Sequence, residues 1–348
     1  MDNRPRYLFR RPAINGLETC LRVLTRIRGI GAYPDPMRYF GAGGLAEARR
    51  LCAAVSRDPE GYFMPDPDAS FRNLDSTPTV RRGRLQIQDH YFDSPAPSGR
   101  PANDRVQVRL YSHDRSGDRE RVVVFHHPIY QAKWRAWEWF LEPLIRQVPV
   151  AFMAAPNHYG RRAPDEFPGE WSVNSNPYTL IQAIRQWCWD QQATSNLLRN
   201  SIGLAPAAVA GFSVGGFQTT LLAALGGLDL PLITLATTSR YAYGIIHGVI
   251  GRPILRAMSR AGISPGTLEE MADVLQVERY AHKLRGREVL MIRGLFDKVD
   301  PPPSMERLEA ALRPSRVLRL PTGHGTMMFH RRAVMDEIIL FLSDLGII

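Results

Sequence analysis

Three short stretches hold residues whose types suit covalent acyl chemistry. Ser213 stands in "GFSVGG", between Gly211 and Gly215 in a G-x-S-x-G spacing. Asp297 stands in "GLFDKVDPPP" and His324 in "LPTGHGTMMFH". A serine hydroxyl is a weak nucleophile unless a base takes its proton. Imidazole does so at neutral pH, and a carboxylate behind it fixes its tautomer and stabilises the cation that forms. Two residues compete for these roles: Asp300 inside the turn after Asp297, and His330 where the C-terminal helix begins. Asp297 and His324 are preferred because each sits at the tip of an expected strand.

The same chemistry needs amide donors for the oxyanion. Val214 supplies one, at the start of a helix whose dipole favours developing negative charge. The second is expected in the loop His126-His127-Pro128-Ile129-Tyr130. Pro128 has no amide hydrogen, which leaves the amide of Ile129 or of Tyr130. The Tyr130 phenol is a further candidate donor, against plain aromatic packing.

These positions make sense only if particular elements hold them. Short apolar runs at 121–127, 148–156, 206–213, 230–239, 287–297 and 315–325 each end in turn residues. Helical stretches such as "RAWEWFLEPLIRQ" and "FQTTLLAALGG" lie between them. Continuous apolar strands alternating with helices predict a parallel sheet covered on both faces. Before them, "RRGRLQIQDHYFDS" and "RVQVRLYSH" alternate apolar and polar residues and predict an antiparallel hairpin. The strand ending at Phe212 runs straight into Ser213 and a helix follows, the arrangement that lifts a nucleophile above the sheet edge. The rival reading is a tight strand–helix turn with Ser213 as a helix cap. The strand pattern breaks off after position 239 and resumes only near 287. A crossover needs far fewer residues, so 240–286 is expected to be a helical cap. Residues 1–80 are expected to form an N-terminal helical extension, with "MPDPDASFRNLDSTP" as a linker, and 81–348 the main domain.

Ser213, Asp297 and His324, in that order and at those strand tips, resemble the catalytic set of the α/β-hydrolase superfamily. The resemblance spans roughly residues 80–348. It implies a mostly parallel, doubly wound sheet with an antiparallel start and a helical cap, and serine esterase or lipase-like activity. Relatives carry a His-Gly or Gly-rich stretch where this chain has "HHPIY". "APNHYGRRAP" (155–164) is similar to a branch of the superfamily that carries a Pro-x-x-Tyr-Gly-x-Arg stretch, for which lipid-directed hydrolysis is implied. His158, Tyr159 and Arg161 are then expected either at the pocket mouth or in a loop with solvated arginines. Trp134, Trp137 and Trp139 read as packing residues. Met327 and Met328 follow the base closely enough to touch an acyl chain or to fill a gap.

Composition bounds the alternatives. The chain has 348 residues, 44% hydrophobic and 22% charged, ordinary values for a packed globular protein. No apolar run approaches the roughly 20 residues of a membrane helix. The N-terminus has no apolar signal region, and Cys20, Cys52 and Cys188 show no zinc spacing or disulfide framework, so free thiols in the cytoplasm are expected. Net charge is +10, with ten arginines against four acids in residues 1–50. Lysine occurs only at 133, 283 and 298, so arginine usage reads as a compositional habit. Its rival is peripheral contact with an anionic membrane through the basic N-terminus.

The expected activity is hydrolysis of a small-molecule or lipid acyl ester through an acyl-enzyme, with no cofactor, no metal and no nucleic acid. The rivals are an acyltransferase using the same three residues and a non-catalytic binding protein of the same fold.

Overall fold

The computed structural model describes residues 44–64, 71–114, 120–172, 174 and 176–348. The basic N-terminal stretch, its helix-like "GLETCLRVLTRI" and Cys20 lie outside the described residues. Among the described residues ten strands form one sheet: β1 (Arg72–Ser76), β2 (Val80–Arg82), β3 (Leu85–Asp93), β4 (Arg105–His113), β5 (Arg121–His126), β6 (Val150–Met153), β7 (Ala205–Phe212), β8 (Leu232–Leu235), β9 (Val289–Gly294) and β10 (Arg316–Leu320). Their order is β1-β3-β4-β6-β5-β7-β8-β9-β10, with β2 paired to β3. Pairings from β1 to the β4–β6 contact are antiparallel, and all those from β6 to β10 are parallel.

Side-chain alternation divides the parallel strands between two cores. Val123, Phe125, Phe152, Ala210, Phe212, Leu235 and Ile292 face one side. There the helices Arg135–Ile145 and Arg331–Asp344 cover them with Trp137, Phe140, Leu141, Val334 and Ile338. Val122, Val124, Met153, Val209, Leu232 and Met291 face the other side, under the helices Pro177–Leu197, Val214–Ala224 and Pro302–Leu312. Burial on both faces is why these strands read as unbroken apolar runs. The long helix Pro177–Leu197 starts where the Asn176 side chain accepts a hydrogen bond from the amide of Tyr178 at 2.9 Å, which satisfies one of its orphan donors.

The strand order creates the site. From β5 the chain adds β6 on one side, then returns past β5 to add β7 on the other. The connecting helices lie on opposite faces. Between β5 and β7 the connections leave in opposite directions, and a crevice opens beyond their carboxyl ends. The loop after His126 and the turn at Ser213 both border that crevice.

Three expectations need correction. The stretch expected to be a linker holds β1, which pairs with β3, so the sheet begins before position 81. The helix Gly44–Arg57 is no separate extension: Ala48, Cys52 and Val55 enter the main core, packed near the helix Pro177–Leu197. Cys52 and Cys188 are free and buried. The 240–286 insertion is helical, but only its first part covers the crevice. Tyr241, Gly244, Ile245 and Ile250 line a cavity with Ser213. Further on, Leu268, Met271, Val274 and Leu284 join the core beside the sheet. Among the described residues no helix is long and apolar enough to cross a membrane.

Candidate active site

Ser213 joins β7 to the helix Val214–Ala224 with φ 57° and ψ −122°. A non-glycine residue there costs about 1–3 kcal/mol, and surrounding structure must hold it. The amide of Ser213 donates to the Leu235 carbonyl at 2.7 Å, and its carbonyl accepts from the Phe217 amide at 2.8 Å. Its neighbours are glycines because backbone crowds them. A Cβ on Gly211 would lie 2.5 Å from the Gly216 amide nitrogen, and one on Gly215 would lie 2.5 Å from the His126 carbonyl oxygen. The G-x-S-x-G spacing is thus a demand of the turn. The Ser213 side chain makes no capping hydrogen bond to the helix, so the helix-cap reading fails.

Adjacent parallel strands bring the other two residues together. Past β9 and β10 the chains stay hydrogen-bonded: Leu295 amide to Leu320 carbonyl at 2.8 Å, and Phe296 amide to Thr322 carbonyl at 3.0 Å. His324 Nδ1 lies 2.8 Å from Asp297 Oδ2. Asp297 Oδ1 accepts from the amides of Val299 and Asp300 at 2.8 and 2.9 Å, which holds the carboxylate still. Thr326 Oγ1 accepts from the Gly323 amide at 2.9 Å and steadies the histidine loop. With Nδ1–H donating to Asp297, the ring is held in the tautomer whose Nε2 carries the lone pair. The His324 ring stands edge-on to Phe212, the residue before Ser213, with centroids 5.6 Å apart. All three candidate residues are buried.

The loop after β5 separates its candidates. Ile129 lines the cavity with Ser213 and Val214. The Tyr130 amide donates to His158 Nε2 at 3.1 Å, so it is not offered to a substrate. His127 is corrected as a site residue. Its Nδ1–H donates to the Pro128 carbonyl at 2.6 Å and its Nε2 accepts from the Ala155 amide at 2.9 Å. Its ring stacks on Phe152 and is fully buried. The Tyr130 ring lies 6.3 Å from that of Phe167.

The "NHYGRR" stretch is neither a pocket mouth nor a solvated loop. Arg161 is fully buried, with its guanidinium on Asp190 at 2.7 Å and on the carbonyls of Asn103 and Ala154 at 2.9 Å. Tyr159 stacks on Trp134 with ring centroids 3.9 Å apart. Trp137 and Met327 are core residues. Trp139 is half-exposed, with Arg331 over its ring. His330 ends the turn beyond His324 and is the N-cap of the helix Arg331–Asp344.

The cavity over Ser213 encloses about 30 Å³ and is mostly apolar, lined by Ile129, Val214, Phe217, Ile245 and Ile250 among others. Asp300 also lines it. Burial drives the Asp300 carboxyl up to about 7, with His324 lowering and Asp297 raising it. Asp300 was weighed from sequence only as a rival to Asp297, and Tyr241 was missed. The aromatic cluster "YAYG" just after β8 was the available signal. Among the described residues no group of His, Cys, Asp and Glu could hold a metal ion.

No protein-family model matches the sequence, and no curated protein is significantly similar to it. Solved structures do match in shape. An acetyl xylan esterase from Paenibacillus sp. R4 superposes with a TM-score of 0.58 at 13% identity, covering 84% of this chain and 92% of the esterase. Acetyl xylan esterase 1 from Thermoanaerobacterium sp. JW/SL YS485 gives 0.55 at 13% identity, covering 84% and 98%. An acylaminoacyl peptidase from Pyrococcus horikoshii gives 0.51 at 13% identity over 79% of this chain, which spans 41% of the peptidase. The chain has the α/β-hydrolase fold.

Proposed function

We infer that this protein is a serine hydrolase that cleaves small acyl esters through an acyl-enzyme. The observation that carries the reading is the His324–Asp297 contact of 2.8 Å, with the His324 ring against Phe212, the residue before a serine held at φ 57° on a strand–helix turn. In this reading His324 Nε2 takes the Ser213 hydroxyl proton as Oγ attacks the ester carbonyl. The amides of Val214 and Ile129 receive the oxyanion. His324 then returns the proton to the leaving alkoxide, and the ester C–O bond breaks. A water deprotonated by the same nitrogen attacks the acyl-serine, releasing the acid and restoring Ser213. Asp297 holds the ring and stabilises the imidazolium throughout.

The esterase and peptidase names of the structurally similar proteins support this class of chemistry. The narrow cavity over Ser213 supports a short acyl group rather than a long one. The test is turnover of short acyl esters by wild type and Ser213→Ala. The variant is expected to lose activity by at least about a thousandfold, with an unchanged melting temperature. A Ser213→Ala protein that keeps the wild-type rate overturns the reading. Product analysis with added alcohols separates hydrolysis from acyl transfer.

A further inference from the structure

Besides Thr238, whose hydroxyl is already bonded to the Arg240 carbonyl and to Ser304, the cavity that holds Ser213 contains two polar groups that the hydrolytic steps do not use. Asp300 is buried, and its amide donates to Asp297 Oδ1, but among the described residues its own carboxyl oxygens receive no hydrogen bond. Tyr241, on the first helix of the insertion, is also buried. Its hydroxyl has no hydrogen-bond partner among the described residues. Both residues line the cavity with Ser213, against walls of Ile129, Val214, Phe217 and Ile245. Buried polar groups in folded proteins are nearly always paired, and an unpaired one costs about 1–3 kcal/mol. The Tyr241 hydroxyl is such an atom, and with the Asp300 carboxyl on the same small apolar cavity it is explained by a ligand group that bonds both.

The backbone makes room for this. Gly244 lies so close to Asp300 that a Cβ there would sit 2.7 Å from Oδ1. An alanine at that position would push the carboxyl away. The turn that anchors Asp297 also fixes the main chain at Asp300, through the hydrogen bond at 2.9 Å. The carboxyl is thereby tied to the same framework that positions His324.

We propose that Asp300 and Tyr241 form the recognition end of the acyl pocket and select a short acyl group bearing a hydrogen-bond donor, an amine or a hydroxyl, over a plain alkyl chain. The assignment rests on Ser213 being the nucleophile. A carboxyl group is the acceptor that such a donor requires, and the phenol hydroxyl gives the donor a second partner. The apolar walls set the size limit, and the polar pair sets the orientation that brings the scissile carbonyl to Ser213. The negative carboxylate of Asp297 and burial both work against ionisation of Asp300, while His324 favours it. A substrate ammonium would hold Asp300 ionised, and a hydroxyl could pair with either form.

The experiment compares propionyl, lactyl, alanyl and β-alanyl esters of one leaving group. Wild type is expected to prefer at least one polar acyl group over propionyl by about tenfold or more in kcat/KM, the weight of one hydrogen bond to a charged group. Asp300→Val is expected to erase or invert that ratio, and Tyr241→Phe to reduce it. A merely structural lesion lowers all four esters together and leaves the ratio alone. Should Asp300→Val not fold, Asp300→Asn and Tyr241→Phe carry the same comparison. A preference for alanyl and β-alanyl alone identifies an ammonium. Equal gains with lactyl identify a neutral donor. A wild-type enzyme that labels at Ser213 yet handles propionyl best, or an Asp300→Val ratio equal to wild type, overturns the pocket assignment alone. Absence of both Ser213 labelling and ester turnover overturns the hydrolase reading beneath it.

Discussion

Buried histidines in the loops after β5, β6 and β10 differ in what their ring nitrogens bond. His324, at the tip of β10, gives one nitrogen to a carboxylate. His127 and His158, in the loops after β5 and β6, spend both nitrogens on backbone. His127 bridges Pro128 and Ala155, and His158 bridges Pro156 and Tyr130. Burial pushes His158 down to about 4 and His127 well below its usual range, so both are neutral struts at neutral pH. A histidine is oriented for base chemistry when a carboxylate holds one of its nitrogens. It becomes a brace when both nitrogens are committed.

Mutations should separate base from brace. On the proposed mechanism His324→Gln removes the base and is expected to lower kcat/KM about a thousandfold or more with little change in melting temperature. Stopped assays on a short acyl ester measure the first effect and calorimetry the second. Comparable activity in wild type and His324→Gln would dissolve the distinction. Arg161→Met attacks the framework under the braces. It leaves Asp190 buried without its counter-ion, with the Ser94 hydroxyl still donating to it, and is expected to cost about 3–5 kcal/mol in denaturant unfolding. His158→Leu leaves the Tyr130 amide without its acceptor, with an expected cost of about 1–3 kcal/mol. Its loss of kcat/KM is expected to be about tenfold, through the shifted Ile129 amide. A thousandfold loss there would make His158 part of the chemistry.

The smallest effect is a pH dependence. A histidine kept neutral by the fold binds its proton more readily once unfolded. Stability is therefore complete above about pH 6.5, the unfolded value. It falls as pH drops through the window down to about 4 for His158 and about 3 for His126. The slope is at most about 1.4 kcal/mol per pH unit for each histidine. Asp300, raised to about 7, works in the opposite sense and protonates preferentially in the folded state between its usual 3.8 and that value. Three buried histidines against two buried carboxyls, Asp300 and Asp190, leave a net loss of stability on acidification. Melting temperatures at successive pH values check this, and a stability that rises from pH 6.5 to 5 would contradict it.

The parallel half of the sheet was legible because both its faces are buried and each strand reads as an apolar run. β8 and β10 were read too long. Apolar residues continue past the ladder, as at Ala236, where the backbone already turns to φ 48°. β1 was not legible: all five of its residues are exposed, so the period-2 pattern that marks a strand is missing. The order Ser213, Asp297, His324 was legible because β7, β9 and β10 run parallel, so the turns after them open at one edge of the sheet. The pocket walls were not. Tyr241 and Asp300 lie in different connections, and only the folded insertion brings them together. Arg161 was misjudged because nothing in "NHYGRR" points to Asp190, which lies on the helix Pro177–Leu197.

The central claim is that Ser213 is a nucleophile activated by His324. A fluorophosphonate probe followed by peptide mass spectrometry tests it most directly. The label is expected on the peptide containing Ser213 in wild type and is expected to be strongly reduced in His324→Gln. A label on any other residue, or equal labelling of the two proteins, would contradict the account.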